Sequence, residues 1–79
     1  MYKGLKRVKQ LIEMSPKFIY CTVDVYLEPK ISSVVFFINT ESYHHIFKAP
    51  FGLLEVTKPD ELATIIIEEV LEWRNRYEG

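Results

Sequence analysis

With a single cysteine, Cys21, among its 79 residues, this chain cannot close an internal disulfide. A zinc site built from several thiolates is excluded as well. Its stability does not call for an oxidising compartment, which favours the cytoplasm. Glycine is scarce too: Gly4, Gly52 and Gly79 lie too far apart to form a phosphate-cradling loop. The longest uncharged run, residues 31–40, falls far short of the roughly 20 apolar residues that span a bilayer as a helix. The basic residues near the start, "MYKGLKRVKQLIEM", are not followed by the apolar stretch of a signal peptide. The expectation is a soluble cytoplasmic protein with no membrane partner.

Apolar and aromatic side chains are plentiful. The chain is 48% hydrophobic and 14% aromatic, with five Phe, five Tyr and one Trp. A domain this short buries a modest share of its surface, so large buried rings supply what length does not. One compact domain over 1–79 is the expectation, with apolar surface left over that small monomers seldom tolerate. The net charge is −1, but the charges are segregated. Residues 1–30 carry six Lys/Arg against three Asp/Glu, and residues 31–79 carry four against eight. Two neighbouring helices of opposite sign, or solvated faces, account for this more simply than a charged docking patch does.

The spacing of apolar residues sets the elements. Leu5, Val8, Leu11 and Ile12 recur at helical intervals in 3–14, with Lys3, Lys6, Arg7, Gln10 and Glu13 opposite. Ser15-Pro16 ends that basic helix. Residues 17–28 change to period two. Ile19, Cys21, Val23, Val25 and Leu27 form a core face, with Phe18, Tyr20, Thr22, Asp24, Tyr26 and Glu28 on the other. Residues 31–39 are apolar on both faces, as central strands are, and 43–48 supply a third strand. "LLEV" at 53–56 reads as a short fourth strand or a loop packed on the core. "TKPDELAT" then opens the last helix, with Pro59 tolerated in its first turn and Asp60 and Glu61 at its positive end.

These elements define an α+β fold: two-layer αβββ(β)α, an antiparallel three- to four-stranded sheet with both helices on one face. On the last helix Leu62, Ile65, Ile66, Val70, Trp73 and Tyr77 share one stripe, and Ile67 and Leu71 fall beside Arg74 on another flank. That second flank, Ile67, Leu71 and Arg74, is a candidate dimer or docking surface unless it covers the first helix.

Catalytic chemistry has little to stand on. His44 and His45 are adjacent on a strand, so they point to opposite faces and cannot readily share a metal. Cys21 sits among core residues, the reverse of the electropositive, accessible setting a reactive thiolate needs. No carboxylate pair, nucleophile elbow or metal motif is present, so the reading is non-enzymatic, with no cofactor.

Nucleic acid is the alternative. The order α-β-β-β-α is also that of double-stranded-RNA-binding domains, but those place a lysine cluster where this chain has "KPDELAT". Contacts would fall to Lys3, Lys6 and Arg7 with strand aromatics as stacking platforms, and the ribonucleoprotein sequence signature is absent. The favoured reading is a small protein-binding module, an inhibitor or adaptor such as bacteria, phages and mobile elements encode. It would act on another protein or as a homodimer. Its partner-binding candidates are Phe18, Tyr20, Asp24 and Tyr26, because aromatics are enriched in interface cores.

Overall fold

The computed structural model describes residues 4–41 and 43–78, with side chains as far as Arg76. Lys3 and the side chain of Tyr77 lie outside the described residues. Helix α1 runs Leu5–Glu13, followed by strands β1 (Cys21–Glu28), β2 (Ser33–Thr40) and β3 (His44–Pro50). A six-residue helix α2 (Phe51–Val56) and the long helix α3 (Pro59–Glu78) complete the order. The three strands form one antiparallel sheet in the order β1-β2-β3. β2 is central, as its two-sided apolar sequence requires.

Both long helices lie on one face of this sheet. Val8 and Ile12 of α1 and Leu62, Ile66 and Val70 of α3 bury against Val23, Val34, Phe36, Ile38 and Ala49. Phe36 packs edge-on to Phe47 across the ladder, ring centroids 6.4 Å apart. Each fully buried side chain of this size contributes about 1.5–3 kcal/mol, and this single core holds the two layers together.

Several expectations need correction. Residues 53–56 form neither a fourth strand nor a loop. They belong to α2, whose Leu54 joins the core while Phe51 and Leu53 pack against it. The α2 segment therefore packs against the core beside β3. The Phe51 N–H donates to Ser32 C=O at 2.9 Å, anchoring its start beside the β1–β2 connection. That connection is a 3₁₀ turn, Pro29–Ile31, ended by Ser32 in the left-handed region at φ 49°.

β1 begins at Cys21, not at residue 17, and the difference changes which side chains are inside. Ile19 and Tyr20 lie in a bend, and Phe18 N–H reaches back to Ser15 C=O at 3.4 Å. Alternation cannot extend through a bend. Phe18 is consequently 8% exposed and part of the core, while Ile19 is 93% exposed. Leu27, expected in the core, is exposed at the far end of β1.

On α3 the buried arc is rotated from the expected stripe. Ala63 is buried and Ile65 is exposed. α3 packs on the sheet and on α1 together, so its covered arc includes the side turned toward α1 and loses Ile65. Ile67 and Leu71 are half-buried, packed against the core. Ile67 lines the groove between the two helices with Leu11, Met14 and Ala63, and Arg7 Nε meets Asp60 Oδ1 across that groove at 3.3 Å. The second flank is in this part the seam between the helices, which accounts for apolar residues around so much of α3. Arg74 is half-buried on the same helix.

Candidate interaction face

The register puts a second, uncovered face on the sheet. Thr22, Asn39 and His44 form one cross-strand row; Asp24, Phe37 and Ile46 the next; then Tyr26, Val35 and Lys48; then Glu28, Ser33 and Pro50. All point away from the helices, because the alternate residues Val23, Ile38, Phe36, Val34 and Phe47 point toward them. Tyr26 is 57% exposed, Ile46 52% and Phe37 36%. Val35 is covered by its neighbours. The Tyr26 ring stands edge-on to Phe37 with centroids 5.3 Å apart, a favourable arrangement for an aromatic pair. A shallow depression of about 500 Å³ beside them is lined by Asp24, Tyr26, Glu28, Phe37 and Asn39.

Charge is arranged by column on this face. The β1 column carries Asp24 and Glu28, the β3 column carries Lys48, and the β2 column between them has no charged residue. Asp24, Glu28 and Lys48 form no ion pair among the described residues. His44 Nδ1 donates to Asn39 Oδ1 within its row.

Of the sequence-derived candidates, the structure brings Asp24 and Tyr26 together on this face. Tyr20 is exposed in the bend before β1, and Phe18 is removed from the face by burial. Phe37 and Ile46 were not among the candidates, although both are central to the patch. The signal for them was the pairing register: once Tyr26 is on the open face, Phe37 and Ile46 follow from cross-strand partners two residues apart. Lys6 and Arg7 are exposed on α1, in the helical layer, so the described basic residues of α1 and the sheet aromatics lie in different layers.

The two histidines take opposite faces. His45 turns to the helices, with Nε2 2.9 Å from Glu69 Oε2 and its ring 5.6 Å from Trp73. Trp73 in turn meets Tyr43 edge-on at 5.2 Å. Among the described residues, no group of three or more His, Cys, Asp or Glu is placed to hold a metal.

The other edge of the sheet has a specific closure. Glu13 Oε2 accepts from Val23 N–H at 2.8 Å and from Lys9 Nζ at 2.8 Å, while Lys9 Nζ donates to Val23 C=O at 2.6 Å. This ion pair, one helical turn apart on α1, takes up both outward backbone groups of Val23 and so blunts the β1 edge. Burial pushes the Glu13 carboxyl up, but the Lys9 ammonium and the Val23 amide outweigh it, and the group lies below its ordinary value. Cys21, nearby, is pushed up to about 11 by burial first and then by Glu13 and Glu41, against the opposing pull of Lys9. Its thiol is protonated at neutral pH, the opposite of a nucleophile's poise.

Fold and face together define a small two-layer α+β domain with one sheet face packed against helices and one open. Compared with protein-family models, curated proteins and solved structures, the chain matches none. Among the described residues no helix is long and apolar enough to cross a membrane.

Proposed function

We propose that this protein is a non-catalytic protein-binding module whose recognition surface is the open face of its sheet. The observation that carries the reading is the exposed cluster Tyr26, Phe37 and Ile46 on one face of a sheet whose other face packs against the helices. Exposed aromatics flanked by charged side chains are the composition of an interface core with its polar rim. Asp24, Glu28 and Lys48 supply that rim. The shallow depression suits a protruding side chain of a protein partner better than an enclosed small molecule. Masking or bridging a partner with such a face makes the protein an inhibitor or adaptor.

The test compares the wild type with a Phe37→Ser/Ile46→Ser double variant as bait for purified candidate proteins. Both changes lie at exposed positions, and far-UV circular dichroism checks that the fold is retained. The reading expects binding that is lost in the double variant and unaffected by Lys6→Gln/Arg7→Gln. Salt-sensitive retention of oligonucleotides that depends on Lys6 and Arg7 would instead establish the nucleic-acid alternative.

A further inference from the structure

The open face has a property that a generic docking surface lacks: it is complementary to itself. We infer that its occupant is a second copy of this chain, packed face to face about a two-fold axis parallel to β2. The inference rests on the reading of this face as the binding surface and adds the identity of the partner.

A two-fold interface uses one patch on both subunits. Two sheets packed in the aligned way keep their strands within about 30° of each other, roughly 10 Å apart. The two-fold axis then lies between them and runs either across the strands or along them. An axis across the strands stacks each column on its own copy. Asp24 and Glu28 would then face the partner's Asp24 and Glu28, and the lysine column would face itself. An axis along β2 exchanges the outer columns, so β1 of one subunit faces β3 of the other. Charge selects the second arrangement, because like charges brought together across an interface are strongly disfavoured.

The rows define what meets what. With the axis along β2, Phe37 and Val35 lie at the centre, each facing its own copy. Tyr26 shares its row with Lys48, so the exchange lays the partner's Lys48 over the Tyr26 ring, between Asp24 one row away and Glu28 one row away on the other side. The lysine gains two carboxylates and an aromatic face, a favourable combination for an ammonium. Asp24 shares its row with Ile46, which brings the partner's Ile46 alongside the Phe37 pair. The exposed Tyr26, Phe37 and Ile46 are covered, and the partner's Lys48 lies diagonally between Asp24 and Glu28, which directly face the partner's Ile46 and the partner's Pro50. Three strands at about 4.8 Å spacing with about 3.4 Å rise per residue give a face of a few hundred Å² per subunit. That is the low end of the interface range, so the dimer is expected to be concentration-dependent.

The experiment is a charge exchange read by light scattering coupled to size exclusion, from about 10 μM to about 1 mM protein. The wild type is expected to approach twice its 9.4 kDa mass at the upper end. Variant A, Asp24→Lys/Glu28→Lys, has two basic columns; variant B, His44→Glu/Lys48→Glu, has two acidic ones. Each alone is expected to remain a monomer across the range, with unchanged circular dichroism, and an equimolar mixture is expected to restore the dimer. The mixing step separates loss of the interface from loss of folding. A dimer that persists in A and in B, or a mixture that stays monomeric, overturns the proposed two-fold. A wild type that is monomeric throughout overturns the dimer but leaves the face as a site for a different protein, which the binding assay with Phe37→Ser/Ile46→Ser tests independently.

Discussion

At the scale of single residues, position relative to strand geometry decides what a side chain does. Glu13 looks from its helical spacing like one more solvated carboxylate, yet it holds the backbone of Val23 through the Lys9 pair. Its value is lowered in the folded state, so the stabilisation it gives is present above the unfolded-state value of about 4.3 and is lost as pH falls through the folded one. Chemical denaturation at several pH values is expected to show the wild type losing its margin over Glu13→Gln as pH is lowered from about 5 to about 3. At neutral pH, Glu13→Ala is expected to cost about 1–2 kcal/mol, since it leaves the Val23 edge amide without its acceptor and the half-buried Lys9 ammonium with Val23 C=O but no carboxylate. Cys21 gives a second residue-level prediction. With its thiol pushed up to about 11, alkylation by iodoacetamide at pH 8 is expected to be roughly ten- to a hundredfold slower than in the denatured chain, the lower thiolate fraction being partly offset by its higher nucleophilicity. Equal rates would show an accessible, unperturbed thiol.

At the scale of elements, the helix phase makes a sharp prediction. Ile65 and Ile66 are neighbours in sequence, but only Ile66 is buried. Ile66→Ala is expected to cost about 2–4 kcal/mol and Ile65→Ala less than about 1 kcal/mol, as read by urea denaturation. Comparable losses at both would mean that α3 is rotated toward the stripe expected from sequence. That stripe was nearly legible: Leu62, Ile66 and Val70 are core in both. Ile65 was misplaced because one helix's periodicity cannot say that two neighbours, the sheet and α1, share it. The strands show the same boundary. Alternation located Val23 and Val25 toward the helices and Asp24 and Tyr26 away from them, and the adjacent histidines on opposite faces. It failed at Phe18 and Ile19, where a bend cancels the period, and at 53–56, where four apolar-rich residues are too few to separate helix from strand. Phe37 and Ile46 could not be joined to Tyr26 until the register was known.

At the scale of the whole molecule, the sheet has one face packed against two helices and one open face, on which Tyr26 stands in the Asp24/Glu28 column and Phe37 lies between that column and Lys48. These two faces are expected to behave differently. The most direct measurement is a set of amide and side-chain NMR spectra recorded on the same protein between about 10 μM and about 1 mM. Concentration-dependent shifts are predicted at Asp24, Tyr26, Phe37, Ile46 and Lys48, with Ile67 and Leu71 in the helical layer unmoved. Shifts confined to α1 and α3, or no shifts across that range, would contradict the view that a second copy closes the open face of the sheet.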